Sequence, residues 1–301
     1  MRAREPDETG FADGIYWERF GDGEPTLLMV PAWAIVHSRI WKAQVPYLAR
    51  HFRVVIFDPR GNGLSKRPAD LESYSEEQYA ADALAVMEAS GTESAVVVGL
   101  SMGAQRGLLL AARQPERVLA LVTIAAALPL ASDPERNRSF ARFDDRLEHH
   151  DGWFKFNRHY WRQDYEGFLR FFFENAFAEP HSTKQFEDCV SWGLETDPET
   201  LALTILAPSL TTRAETLALC EQVRCPVLAV HGDCDQIRPW RASERFAAAT
   251  GGRFVLMPGC GHCPQARKPV EVNLLIREFV EQLPRTAAVL SRQPLAKGEM
   301  T

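Results

Sequence analysis

The sequence predicts an α/β protein: a doubly wound, mostly parallel sheet with a helical segment inserted into one crossover. Three observations predict it. Short, continuous apolar runs recur along the chain, among them Thr26-Leu-Leu-Met-Val30, Arg53-Val-Val-Ile-Phe57, Ala95-Val-Val-Val98 and Val227-Leu-Ala-Val-His231, as expected of strands buried on both faces. Helix-like spacing separates most of them, so successive strands need crossovers and lie parallel. The alternation then fails once. From about residue 132 to 208 there is no strand signal, and fifteen of the thirty aromatic residues fall between Phe140 and Trp192.

In chain order, residues 15–20 and 26–30 read as strands and 41–49 as a helix. The strand at 53–57 is stopped by the turn residues Asp58-Pro59-Arg60-Gly61-Asn62-Gly63. The helix at 75–89 opens with Ser75 and, three residues on, Gln78, a capping pattern. A strand through Val96, a helix over 104–113 and a strand over 118–125 follow. After the aromatic segment come strands at 227–231 and 254–257, with a helix at 240–249 between them and a closing helix at 270–282. This divides the chain into a core, 10–131 with 209–283, and a helical cap, 132–208. From 284 onward periodicity is lost, as expected of a mobile tail.

Composition excludes several classes. The chain has 301 residues, 46% hydrophobic and 25% charged, with a net charge of −6, and no basic stripe of the kind nucleic acid requires. The apolar stretch from Thr26 to Ala34 is too short to span a bilayer, and the charged start Met1-Arg-Ala-Arg-Glu-Pro-Asp-Glu-Thr9 lacks the apolar core of a signal peptide. Neither a membrane nor a nucleic acid is an expected partner, and the expected location is cytoplasmic. Cysteines stand at 189, 220, 225, 234, 260 and 263. Cys260-Gly-His-Cys263 has the spacing of a metal pair, but the second pair of a closed zinc site is missing. Free thiols, no metal and no cofactor are expected.

Gly99-Leu100-Ser101-Met102-Gly103 sits between the Val96 strand and the following helix. That context makes it a nucleophile elbow rather than a serine in a glycine-rich turn: the tight strand-to-helix turn pushes the hydroxyl clear, and the helix N-terminus offers unpaired N–H groups to a developing oxyanion. A serine needs a base. His262, in the glycine-rich loop Pro258-Gly259-Cys260-Gly261-His262 after the last apolar strand, is at the carboxyl end of the sheet, where Ser101 also lies. The acid that orients it is expected in His231-Gly232-Asp233-Cys234-Asp235, after the Val227 strand, with Asp235 preferred and Asp233 the alternative.

Asp58-Pro-Arg-Gly-Asn-Gly-Leu-Ser65, the Ser101 elbow, His231-Gly-Asp-Cys-Asp235 and Gly261-His262 together resemble the capped α/β-hydrolases from about Gly10 to Leu283. The resemblance implies Asp235 as the acid, and the backbone N–H groups of Trp33 and Met102 as the oxyanion hole. It also exposes departures. Pro31-Ala32 stands where the family usually has His-Gly, and Arg267 where it often has Glu. Serine at the elbow argues against the family's dehalogenases and epoxide hydrolases. Leu100 and Cys263 replace the Asn and Trp usual in its C–C bond hydrolases. The implied enzyme is a serine carboxylesterase or enol-lactonase. Its expected partner is a small apolar or aromatic ester or lactone, and the candidate substrate-binding side chains are Trp33, His37, Trp153 and Trp161. C–C hydrolysis or acyl transfer on the same triad, and a hydrolase-fold receptor for a small ligand, are the alternatives.

Overall fold

The computed structural model describes residues 5–180, 183–210 and 212–284; apart from Pro284, the tail expected to be mobile lies outside them. Eight strands form one sheet: β1 (Glu8–Ala12), β2 (Ile15–Phe20), β3 (Thr26–Val30), β4 (Arg53–Phe57), β5 (Ala95–Leu100), β6 (Val118–Ile124), β7 (Val227–Gly232) and β8 (Arg253–Met257). Their spatial order is β1-β2-β4-β3-β5-β6-β7-β8. The pairs β1–β2 and β2–β4 are antiparallel, and the rest of the sheet is parallel. This is the α/β, doubly wound architecture expected.

The apolar runs alternate strictly across the sheet. Leu27 and Met29 of β3 and Val96 and Val98 of β5 join one hydrophobic cluster. Leu28, Val30, Ala95 and Val97 join the cluster on the opposite face. Burial on both faces is what a period of two demands when every position is apolar.

Helices supply the covers. Short α1 (Val45–Leu48) is followed by α2 (Glu76–Ala89) and α3 (Met102–Arg113). Ser75 caps α2 by accepting from the Gln78 N–H at 3.3 Å, as its spacing predicted. The helix expected over 41–49 does not form as one piece. A 3₁₀ turn, Ser38–Trp41, breaks before α1, whose first turn holds Pro46; without an N–H, and with its ring against the preceding turn, Pro46 starts a helix but does not continue one. The edge strand β1 went unread in the sequence because its side chains are mostly exposed. Its signal was the turn: Asp13 (φ 46°) and Gly14 (φ 74°) form a two-residue loop of the hairpin-closing kind.

Between β6 and β7 the described residues contain helices and no strand: α4 (Pro134–Phe140), α5 (Arg158–Gln163), α6 (Tyr165–Ala176), α7 (Thr183–Gly193), α8 (Pro198–Leu206) and α9 (Arg213–Cys220). The rings of Phe143, Phe156, Trp161, Phe168 and Phe172 belong to the same cluster as one sheet face. Leu219 and Cys220 of α9 pack instead on the other face. After β7 come α10 (Arg241–Thr250), α11 (Pro264–Arg267) and α12 (Pro269–Glu281). No helix among the described residues is long and apolar enough to cross a membrane.

Candidate active site

Ser101 lies between the end of β5 and the start of α3 with φ 54° and ψ −113°, a backbone state that a non-glycine residue holds at a cost of about 1–3 kcal/mol. Neighbours over-determine it: the Ser101 N–H donates to Ile124 O at 2.8 Å, and its carbonyl accepts from Ala104 and Ala127. The flanking glycines are required by proximity. A Cβ on Gly103 would lie 2.6 Å from Pro31 O, and one on Gly99 would collide with the Gly103 carbonyl. The loop after β3 is thereby brought against the first turn of α3.

His262 Nε2 stands 2.9 Å from Ser101 Oγ, and its Nδ1 stands 2.8 Å from Asp235 Oδ2. Three side chains from loops after β5, β7 and β8 thus form one hydrogen-bonded line. Asp233, the alternative acid, is exposed and accepts instead from the Gly259 N–H at 2.7 Å. The Asp235 carboxylate accepts from four donors. Ile237 and Arg238 N–H reach Oδ1 at 2.6 and 2.9 Å, and His231 Nε2 joins His262 on Oδ2 at 2.8 Å. Burial acts to raise the Asp235 pKa, but both imidazoles act against it and hold the carboxyl far below the ordinary aspartate range. His231 also faces Arg238 O at 3.1 Å through Nε2, so that nitrogen, with two acceptors before it, carries a proton. Its Nδ1 meets Ser243 Oγ at 2.7 Å. The sequence reading passed over His231; its place four residues before Asp235 was the available signal. An imidazole held between a hydroxyl and an ionised carboxylate can take the hydroxyl proton and bear the resulting charge.

Segments of the helical region hold the histidine loop. The His262 N–H donates to Ala176 O at 3.0 Å, and the Gly261 N–H donates to the buried carboxylate of Glu179 at 2.5 Å.

The loop 31–36 is also gripped from below. Arg106, fully buried on α3, donates through Nη1 to Ala32 O at 2.8 Å and Pro31 O at 3.3 Å. It is itself paired with buried Glu76 at 3.1 Å, and its guanidinium lies 3.7 Å from the Tyr79 ring centre. A trans peptide points its C=O and N–H in opposite directions. With Ala32 O turned down to Arg106, the Trp33 N–H is turned away from it. Asn62 Nδ2 fixes the next part of the loop through Ala34 O at 2.9 Å. The Met102 N–H opens α3 and has no partner within the helix.

Two small cavities meet at Ser101. The first, about 50 Å³, is lined by Trp33, Ser101, Met102, Trp153, Arg136 and Arg238, with Phe140 and Phe172 among its rings. The second, about 30 Å³, is lined by Trp33, Leu100, Ser101, Phe172, Cys189, His262 and Cys263. Trp33 and Phe172 border both. The Trp33 ring is braced by Phe156, Phe168 and Phe172, and its Nε1 donates to Thr204 Oγ1 at 2.5 Å. Trp153, one of the candidate side chains, lines the first cavity. Trp161 and His37 line neither. Trp161 is buried behind Trp33, stacked on Phe168 at 4.3 Å. His37 accepts from the Arg39 N–H and packs on Trp192, so it supports the loop. Phe172, Arg136 and Arg238 were not singled out in the sequence, because nothing local distinguishes them from packing or surface residues.

All six cysteines are free. Burial pushes the thiols of Cys189 and Cys263 well up, so neither offers a thiolate beside Ser101. Among the described residues no three His, Cys, Asp or Glu side chains converge on a point where a metal could sit.

Residues 25–269 match the family model for the alpha/beta hydrolase fold, and the chain belongs to that family. A pimeloyl-[acyl-carrier protein] methyl ester esterase of Nitrosomonas europaea is 30% identical over 259 residues, covering 83% of this chain and 93% of that protein. A 2-hydroxymuconate semialdehyde hydrolase of Pseudomonas sp. (strain CF600) is 28% identical over 283 residues, 87% of this chain and 88% of that one. A likeness to a karrikin insensitive 2 receptor of Petunia hybrida, 32% identical, spans 41% of this chain and only 46% of the receptor. Among solved structures, a bromoperoxidase from Bacillus anthracis superimposes with a TM-score of 0.74 at 23% identity, over 89% of this chain and 95% of its own; at that identity the likeness speaks for the fold.

Proposed function

We propose that this protein hydrolyses a small carboxylic ester or lactone through an acyl-enzyme on Ser101. The observation that carries the reading is the unbroken line from Ser101 Oγ through His262 to Asp235. In this reading His262 Nε2 takes the hydroxyl proton as Oγ bonds to the carbonyl carbon. The tetrahedral oxyanion faces the N–H groups of Trp33 and Met102, where each donor contributes about 3–4 kcal/mol to the transition state. The imidazolium then gives its proton to the leaving alkoxide. Water enters, loses a proton to His262 and attacks the acyl carbon, and Ser101 is released as Nε2 returns the proton to Oγ. Asp235 holds the imidazole with Nε2 toward Ser101 and offsets its charge. Residues 132–208 act as the cap, and the rings of Trp33, Trp153 and Phe172 form the apolar walls.

Purified protein should hydrolyse p-nitrophenyl acetate or butyrate, and a fluorophosphonate should add to Ser101 by mass. Ser101→Ala should lower kcat by about 10⁴-fold or more and abolish the adduct. No turnover together with no adduct would overturn the proposal. The likeness to the semialdehyde hydrolase favours cleavage of a C–C bond next to a carbonyl as the second reading. A vinylogous diketone turned over faster than either ester would select it.

A further inference from the structure

Arg238 occupies an unusual position for a cation. Its main chain is fixed to the acid loop: its N–H donates to Asp235 Oδ1 and its carbonyl accepts from His231. Its side chain lines the first cavity beside Ser101. Among the described residues the guanidinium has neither a hydrogen-bond nor an ion-pair partner; its one ring neighbour is Phe140, 5.8 Å away. The two nearby carboxylates are committed elsewhere. Asp235 is saturated by its four donors, and Asp133 lies 3.1 Å from Arg136. Arg136 lines the same cavity and is anchored through Nη2 to Gln236 O at 2.6 Å. The residue is half-buried; burial lowers its pKa, with Asp235 and Asp133 opposing. A buried or half-buried arginine ordinarily has a counter-charge. Here the place for one is the cavity itself.

We propose that the substrate of this site carries a carboxylate on a short arm, which docks against the Arg238 guanidinium while its reacting carbonyl lies at Ser101. The inference rests on the ester-hydrolase reading for the reacting group, but not for the anion. A single free arginine fork matches a carboxylate, which it can bind through two parallel N–H donors, and its one positive charge balances the carboxylate's one negative charge. Arg238 and Ser101 line the same small cavity, so the arm between the carboxylate and the reacting carbonyl is short. The net charge of the whole chain is −6, so any preference for an anion is local to this cavity and not a general attraction.

The test is calorimetric binding of glutaramate and of pentanediamide, its neutral diamide, to the full-length protein. The two probes have the same length and differ in one negative charge, the carboxylate meant for Arg238. Glutaramate should bind roughly tenfold tighter, Arg238→Gln should bring the ratio to about one, and Arg238→Lys should restore part of it. Equal binding of the two probes by the wild type, or a preference that survives Arg238→Gln, would overturn the proposal. Because binding is read without turnover, the two claims separate. Esters hydrolysed without a glutaramate preference would overturn the anion site alone. A glutaramate preference in a protein that hydrolyses no ester and takes no phosphonate would uphold the anion site and remove the ester reading.

Discussion

The two sides of the site are built differently. On the sheet side, the groups in line with Ser101 and the loop beside it are positioned by directed hydrogen bonds to backbone or buried partners: Asp235 by four donors, the 31–36 loop by Arg106 and Asn62, and Ser101 by Ile124, Ala104 and Ala127. On the helical side, the walls are rings in contact, such as Phe140 stacked on Phe156 at 4.1 Å and Trp161 on Phe168 at 4.3 Å. Hydrogen bonds fail steeply with angle and distance, whereas ring contacts are individually weak and tolerate several packings. The sheet side is thus suited to fixing a reaction geometry, and the helical side to adjusting which molecule enters.

Substitutions on the two sides should therefore differ in kind. The largest effect is expected at Asp235→Asn, with kcat falling by about 10⁴-fold while KM changes little; a loss confined to KM would break the comparison. The same variant has a stability signature. The folded-state pKa of Asp235 lies below its unfolded value, so the ionised group stabilises the fold above about pH 4 and that contribution is lost as the pH falls further. The difference in urea midpoint between wild type and Asp235→Asn should be wider at pH 7 than at pH 3, narrowing as the pH falls below about 4. Arg106→Met comes next. Freed from the grip on Ala32 O, the Trp33 peptide can rotate, and kcat should fall about 10–100-fold with KM nearly constant. Because the substitution alone would leave Glu76 buried and unpaired, the comparison is best made with Glu76→Gln also in place. An equal fall in thermal stability and activity, with no effect specific to kcat, would assign Arg106 to folding alone. The smallest effect is expected at Trp153→Ala, a few-fold change in KM that depends on the size of the ester, with kcat within a few-fold.

The site was largely legible on the sheet side and poorly legible on the helical side, for the same physical reason. The elbow, the His262 loop and the Asp235 loop are local devices. Each needs particular residues at fixed spacing, because a strained turn or a strand-end loop admits few alternatives. Gly103 is one case: a Cβ there would meet Pro31 O. His231 escaped notice because its use is tertiary: the same His-Gly-Asp string serves whether or not the imidazole turns toward Asp235. The aromatic segment shows the opposite limit. Its composition announced apolar walls, but Trp153 stands at the cavity while Trp161 lies wholly buried behind it, and nothing in the spacing separates the two. His37 was misjudged similarly, since a histidine in the loop near Ser101 can face the site or brace the loop, and here it braces it.

The sequence by itself determined the order of the strands' apolar runs, the nucleophile-like serine at a strand-to-helix turn, and the histidine and acid at later strand ends. These follow from backbone periodicity and turn sterics, which act over a few residues. Only the tertiary structure decided that Arg106 turns the Ala32–Trp33 peptide, that His231 shares the Asp235 carboxylate, and that Arg238 stands at the Ser101 cavity with no ion-pair partner among the described residues. Each of these depends on groups far apart in the chain meeting at hydrogen-bonding or Coulombic range, and contacts of that kind leave no local pattern to read.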